Sequence, residues 1–475
     1  MHEINKPLLF IGGDLNGIQN FIYNISSKKA AVSLKGRSAW LNMYLDKVCR
    51  GIIDIPEIAA GTTKEIIYCS GGKFYAICDD SATFRHLIDD YIIRTESELW
   101  TDQNGQIFIS ITYTPFVFKT ESVVVIDGKE YPIGELWRRT NSEFNKKKKR
   151  KFCNTLLTDY DSLFQVRLTG GDVRVCAITG IESPGCVKLE EEDDGESIWV
   201  LPSVKKQVEL GRELRKKEHF KTFQEYAEKS YLGVLRMDVD GLGTRFIAGF
   251  KTIDDYTSFS GKLQLFFDRN LIEIQKKIDY SDYLNIIYAG GDDIFVVGRW
   301  DKVLDFAEET RAEFIKYIGD EKLTISGGIA IVGKKLPISK AAELSGEAED
   351  RAKKYKNGNK NAFSFLGDCV SWDYEFQMVK NLKNDFVLQI SQNGLSAGIL
   401  HKLMSYASIA SEGKNMNYLW HSVYYLTRLM SSTSNYNAKC FVKNIRDNEV
   451  NKGVRQYQLI ALAARWAELE LRFSK

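Results

Sequence analysis

The chain has 475 residues, 44% hydrophobic and 27% charged, with a net charge of only +2. That size supports two to four domains with sizeable cores, in a composition ordinary for a soluble globular protein. The near-neutral balance excludes a globally basic nucleic-acid binder, leaving only local patches for that role, and no apolar run approaches membrane-spanning length.

The opening MHEINKPLLFIGG has no signal-peptide layout, and eight cysteines without regular spacing imply reduced thiols and a cytoplasmic setting. FIGGDLNGIQNFIY (Phe10 to Tyr23) carries Asp14-Leu15-Asn16-Gly17. SSKKAAVSLKGRSAWLNMYLDKVC (Ser26 to Cys49) ends in an amphipathic helix. Ser33, Lys35, Gly36, Arg37 and Ser38 lead into that helix, where they can hold an anion or serve as an ordinary cap. IIYCSGGKFYAIC (Ile66 to Cys78) and QIFISITYTPF (Gln106 to Phe116) read as strands. Lys146 to Lys151 is an unbroken run of cations, able to contact RNA phosphates or to form a solvated helix face.

Residues 152–225 are the least regular. Cys153, Cys176 and Cys186 lack zinc-site spacing, so no zinc is expected. Glu190 to Glu196 reads as a solvated acidic loop and Lys205 to Lys221 as a charged connecting helix.

YLGVLRMDVDGLGTRF (Tyr231 to Phe246) is a buried-strand pattern ending in Asp238-Val239-Asp240-Gly241. TSFSGKLQLFFDRNLIEIQKKI (Thr257 to Ile278) has helical spacing, and Ser258 and Ser260 near its start can contact nucleotide or cap the helix. Leu284 to Tyr288 and Ile294 to Val297 flank Gly290-Gly291-Asp292-Asp293, which predicts a β-hairpin whose glycines supply positive φ. Adjacent carboxylates repel, so they imply a shared cation or a raised pKa, and hard oxygen ligands suit Mg²⁺ or Mn²⁺. A lone GGDD also reads as an acidic surface turn. Asp238 at a strand end changes that balance. Together with Asp292 and Asp293, and with Asp240 as a further ligand, it can converge on one metal pair that activates a hydroxyl and stabilises a leaving pyrophosphate. Strand-end Asp, helix, then GGDD is the arrangement of polymerase and nucleotide-cyclase palms.

LTISGGIAIV (Leu323 to Val332) is the next strand. LSGEAEDRAKKYKNGNKNAFSFLG (Leu344 to Gly367) reads as helix, basic loop and strand. Lys353, Lys354, Lys356 and Lys360 can neutralise a triphosphate or stand as solvated helix-end lysines. Residues 369–475 have helical spacing, with Trp420, Tyr424, Tyr425 and Trp466 expected in a small bundle core.

The first 80 residues repeat the order found around GGDD: Asp14-Leu15-Asn16-Gly17 stands for Asp238-Val239-Asp240-Gly241, and IIYCSGGKFYAIC for IIYAGGDDIFVVG. Lys73 and Phe74 are read as replacing the acidic pair, so the first copy is expected to hold no metal pair and instead to bind phosphates or brace the second. The acceptor nucleotide is expected near Ser70, Gly71 and Gly72.

The ordered set GDLNGIQNFIYNISSKKAAVSLKGRS, SGGKFYAIC, RMDVDGLG, YAGGDDIF, LTISGGIAI and AKKYKNGNKNAFSFLG resembles the large polymerase/cyclase-like subunit of type III CRISPR effector complexes, of the Csm type (III-A). The resemblance implies an α/β (α+β) fold: two ferredoxin-like, GGDEF/cyclase-like palm domains (1–145, degenerate, and 226–368, with GGDD), an irregular connecting domain (146–225) and a C-terminal helical bundle (369–475). It implies metal-dependent conversion of ATP to cyclic oligoadenylate on target RNA binding, inside a ribonucleoprotein with guide RNA and other Csm-type subunits. Asp238, Asp292 and Asp293 map to the catalytic metal carboxylates, Asp240 less directly. Gly290, Gly291, Ser70, Gly71, Gly72, Ser258, Lys353 and Lys360 are the nucleotide-binding candidates. Many such proteins carry an N-terminal His-Asp nuclease domain. Here the first palm strand begins by Leu8 and no His-Asp dipeptide occurs, so no DNase activity is expected. The rival expectations are a catalytically silent RNA-binding scaffold and a free-standing nucleotide cyclase.

Overall fold

A computed structural model describes residues 4–26, 29–158, 173–190, 197–228, 230–320, 323–411 and 417–473. The acidic run after Glu190 lies outside the described residues. The chain forms two compact units: Met1–Thr324 with Val332–Leu344, and Ile325–Ile331 with Ser345–Lys475.

The first unit opens on β1 (Pro7–Asn16), buried along almost its whole length. The following strands are β2 (Lys64–Ser70), β3 (Lys73–Asp79), β4 (Phe108–Thr120), β5 (Val123–Ile126) and β6 (Lys129–Pro132). Their order in the sheet is β2-β3-β1-β4-β5-β6, with every neighbouring pair antiparallel. The helices Ala30–Ile53 and Ala82–Gln103 join β1 to β2 and β3 to β4. The βαββαβ succession and the 2-3-1-4 order are those of a ferredoxin-like palm.

Four short strands follow as two separate ribbons, β7 (Arg174–Val175) with β8 (Glu182–Ser183) and β9 (Val187–Leu189) with β10 (Ile198–Val200). The helix Pro202–Glu218 starts on proline and ends on Arg215, Lys216 and Lys217, as propensity and the helix dipole favour. It lies so close to Ala30–Ile53 that a Cβ on Gly36 would sit 1.8 Å from the Gln207 carbonyl oxygen, and one on Gly211 1.9 Å from that of Val32. Ser33 to Ser38 therefore lie inside a helix, against the expectation of a lead-in. Arg37 is buried, donates to the Phe21 carbonyl and lies over the Phe21 ring at 4.9 Å.

The β1-to-β3 succession then recurs as β11 (Leu232–Val239), β12 (Leu284–Gly290) and β13 (Asp293–Arg299), in the order β12-β13-β11. Both copies slip register at the same place, between Ile66 and Tyr68 and between Ile286 and Tyr288. Both turn out of the first strand on a left-handed glycine, Gly17 (φ 89) and Gly241 (φ 73). The helix expected over Thr257 to Ile278 starts earlier and is interrupted. Thr252 and Asp255 form a capping box for Ile253–Leu265, and a π-turn at Phe266–Asn270 precedes Leu271–Gln275. Ser258 is exposed in mid-helix and caps nothing.

In the second unit β14 (Ile325–Val332) runs parallel to β15 (Ala362–Phe365), which pairs antiparallel with β16 (Asp368–Ser371). Among the described residues, five helices of nine residues or more follow, from Gln377–Ser391 to Val454–Phe473. The last is the most buried, and Trp466 packs on Phe365 and Phe376 at 5.2 and 5.9 Å. Trp420 and Tyr424 depart from the expectation: they are 76% and 63% exposed. They occupy i and i+4 of Asn417–Ser432, whose inward face is carried by Tyr418, Ser422 and Leu426 instead. No described helix is long and apolar enough to cross a membrane.

Two outcomes follow from this packing. Gly36→Ala should lower stability by about 1–3 kcal/mol, since backbone on Pro202–Glu218 must retreat, and thermal unfolding checks it. Glu375 is buried in the second unit. Burial alone would raise its pKa, but bonds from Arg455, Tyr355 and the Ser371 N–H outweigh that and depress it from 4.5 to about 2. Its contribution is therefore present above the unfolded value of 4.5 and lost as pH falls through about 2. Glu375→Gln should flatten the acid limb of the stability curve in that window.

Candidate active site

Pairing across β11 and β13 sets the centre of the site. Asp238 stands directly opposite Asp293, and their carboxylate oxygens lie within 4.8 Å of each other. Asp292 closes the hairpin turn: its N–H donates to the Gly290 carbonyl at 2.8 Å, and its own carbonyl accepts from Val239 N–H at 3.0 Å. All three aspartates are half-buried. Asp240 is buried and faces elsewhere, with Thr324 Oγ1 donating to its carboxylate and its N–H donating to the Thr324 carbonyl, both at 2.8 Å.

The same register corrects the reading of the first copy. Asp14 stands opposite Lys73, and Leu15 N–H donates to the Gly72 carbonyl at 2.7 Å, as Val239 does to Asp292. Gly72 and Lys73, not Lys73 and Phe74, thus occupy the places of Asp292 and Asp293. Asp14 is buried and ion-paired with Lys148 at 2.8 Å. The neighbouring Lys147 donates to the Ile111 carbonyl, and burial lowers its pKa. Two members of the basic run Lys146 to Lys151 are therefore committed to the first palm. Where the second copy sets carboxylate against carboxylate, the first sets carboxylate against ammonium, which removes the electrostatic reason to recruit a cation.

The two turns meet. Gly291 N–H donates to Ser70 Oγ at 3.2 Å. Gly71 (φ 58) and Gly291 (φ 66) are both left-handed, and a Cβ on Gly71 would lie 2.6 Å from the Gly291 Cα. The Tyr68 hydroxyl closes the other side, 2.6 Å from where a Gly291 Cβ would be. Burial, then the charge of Asp292, pushes the Tyr68 phenol well above its usual pKa. Tyr288, its counterpart in the second copy, is raised by burial and then by Asp293 and Asp292. From the first palm, Lys35 Nζ donates to the Ile286 carbonyl at the bulge, at 2.8 Å, and pairs with Glu218 at 2.8 Å. Arg236 lies 4.4 Å from the Tyr23 ring centroid, and Tyr23 packs on Phe295 at 4.4 Å.

The expected residues therefore divide. Asp238 and Asp293 bring their carboxylates together, Asp292 sits beside them in the turn, and Gly290 and Gly291 meet Ser70 and Gly71, with Gly72 next in the facing turn. Asp240 is turned to Thr324, and Ser258 is an exposed helix position. Lys353 and Lys360 belong to the second unit, where Lys353 pairs with the buried Glu349 at 2.6 Å and Lys360 adopts φ 55. Reading by residue type passed over Tyr68 and Tyr288, and gave Lys35 and Lys148 other roles, as an anion or capping residue and as part of a basic run. Only the tyrosines had a signal, the shared Ile-Ile-Tyr of both repeats. Cys153, Cys176 and Cys186 are free thiols in this structure.

The chain is similar to known proteins. The family description "Cas10/Cmr2, second palm domain" fits residues 231–364, and "Csm1 subunit domain B" fits residues 7–166. A Cas10/Csm1 single-strand-specific deoxyribonuclease (subtype III-A) of Enterococcus italicus is 27% identical over 422 residues, covering 76% of this chain and 54% of its own length. The chain is similar to Cas10/Csm1 proteins of subtype III-A over most of its length. The Streptococcus thermophilus Cas10/Csm1 is 25% identical over 500 residues, covering 90% of this chain and 63% of its own. The chain thus spans between half and two thirds of the length of these relatives. Among solved structures, a Csm1–Csm4 cassette in complex with pppApApA superposes with a TM-score of 0.69 at 18% identity, covering 98% of this chain and 70% of that one. The cassette in complex with cA4 gives 0.65 at 18%, covering 96% and 70%.

The glycine contact yields a test. Gly71→Ala combines a disfavoured φ with a clash against Gly291 and should cost about 1–3 kcal/mol, whereas Ser70→Ala removes one hydrogen bond and should cost about 1 kcal/mol. Denaturant unfolding of both variants checks the order.

Proposed function

We propose that this chain is the nucleotidyltransferase subunit of a type III-A RNA-guided complex, turning ATP into cyclic oligoadenylate when target RNA binds. The observation that carries the reading is Asp238 facing Asp293 beside Asp292, at the place where the other copy sets Asp14 against Lys73. A cleft of hard carboxylate oxygens at this spacing suits Mg²⁺ or Mn²⁺. Asp238, Asp292 and Asp293 would hold the ions. Bound there, such ions supply a lowered hydroxyl pKa and charge neutralisation of a leaving pyrophosphate.

The chain's own residues do the rest. Gly290 and Gly291 keep the turn free of side chains, so Gly71 of the first palm packs on one side of it, and the side bearing the carboxylates is assigned to the nucleotide. Ser70, Gly71 and Gly72 form the facing wall, on the acceptor side. Lys353 and Lys360 are assigned to a nucleotide triphosphate, whose charge a lysine can neutralise. The relatives' names and the adenylate-bound cassettes support adenylate chemistry and Csm-type partners, and guide and target RNA are the partners we propose with them. The cytoplasm is the compartment such partners imply.

The test is Asp292→Ala with Asp293→Ala. Product formation from ATP should fall by at least about a thousandfold. Thermal stability without divalent ions should hold or rise, since a repulsive pair is removed, and stabilisation by added Mn²⁺ should vanish. Retained synthesis in the double variant refutes the carboxylate assignment.

A further inference from the structure

The basic loop after the helix Ile338–Lys353 has an unusual backbone. Lys356, Asn357, Gly358, Lys360 and Asn361 are all left-handed, with φ of 44, 61, 91, 55 and 47. Four of these five are not glycine. Such a run persists only where its surroundings over-determine it.

Both ends of the loop are held to residues 368–376. At the start, the Tyr355 hydroxyl donates to Glu375 Oε2, which also accepts from Ser371 N–H at 2.9 Å. At the end, Asn361 Nδ2 donates to Asp373 at 2.7 Å, and Trp372 N–H donates to the Asn361 carbonyl at 3.2 Å. Arg455, near the start of Val454–Phe473, ties the first clamp to the last helix. Its Nε and Nη2 donate to Glu375 at 3.1 and 3.0 Å, Nη1 donates to Asp368 at 3.2 Å, and Nη2 donates to the Cys369 carbonyl at 2.6 Å. A buried carboxylate with this many donors is a poor way to gain stability compared with an apolar core, but a good way to specify one geometry. The loop it fixes holds Lys354, Lys356 and Lys360 and no carboxylate.

We infer that Arg455, Glu375 and Tyr355 are positioning residues that set the Lys354-to-Asn361 loop in the shape that receives a nucleotide triphosphate, making the last helix a determinant of ATP affinity. This rests on the assignment of Lys353 and Lys360 to the triphosphate. The fork of Arg455 is what the geometry needs. Lysine keeps the charge but cannot span Glu375, Asp368 and the Cys369 carbonyl together.

The experiment is calorimetric titration of AMPPNP with Mg²⁺ into the full chain and its Arg455→Lys, Tyr355→Phe and Lys360→Ala variants. Calorimetry separates affinity from the fraction of folded sites. Lys360→Ala and Arg455→Lys should each weaken Kd by about tenfold at unchanged stoichiometry, and Tyr355→Phe by less. Tryptic cleavage after Lys354, Lys356 and Lys360 should also accelerate in Arg455→Lys. A weakened Lys360→Ala beside an unchanged Kd in Arg455→Lys overturns the positioning role and leaves the phosphate assignment standing. An unchanged Kd in Lys360→Ala overturns that assignment and this inference with it. A fall in stoichiometry alone marks Arg455 as merely structural.

Discussion

The contact on which the first unit depends is glycine against glycine: Gly71 of one hairpin turn on Gly290 and Gly291 of the other, with Gly291 N–H donating to Ser70. No side chain fits between them. The turn that presents Asp292 and Asp293 is thereby held by backbone and by hydroxyls of the first palm, rather than by its own strands alone. Lys35 extends the same support to the Ile286 carbonyl that the bulge leaves exposed. A loop carrying two adjacent carboxylates would otherwise relax away from their repulsion, so the brace preorganises what a cation would need.

The two palms share backbone and differ in charge. Register, bulge and left-handed glycine recur, yet Asp14 lies between Lys73 and Lys148 where Asp238 lies beside Asp293. The first palm has exchanged a repulsive pair, useful only with a ligand, for an attractive one that serves stability. A copy relieved of chemistry is free to become a wall, and Ser70 and Tyr68 show how closely it is fitted to that use.

Much of this was legible before any coordinates. The palm order, the hairpin at Gly290-Gly291 and the convergence of Asp238 with Asp293 follow from apolar runs, turn residues and internal repetition. The one-residue error at Lys73 and Phe74 has a physical cause: matching the two Gly-Gly pairs ignores that strand pairing decides which residue faces Asp14. Ser33 to Ser38 were misread because Gly36 in a helix looks like a lead-in until the close approach of Gln207 explains it. Trp420 and Tyr424 were assigned inward on residue type alone, though Tyr418, Ser422 and Leu426 form the buried stripe. Lys148 on Asp14, and Arg455 on Glu375, join residues far apart in sequence, and no local pattern announces such pairs.

The most direct measurement is mass spectrometry of the products formed from ATP and Mn²⁺ by the chain assembled with the proposed Csm-type partners and guide RNA, with and without matching target RNA. Cyclic oligoadenylate and pyrophosphate that appear only with target are the expected result. An assembly that binds target RNA yet forms no adenylate product contradicts the nucleotidyltransferase reading and leaves a scaffold in its place.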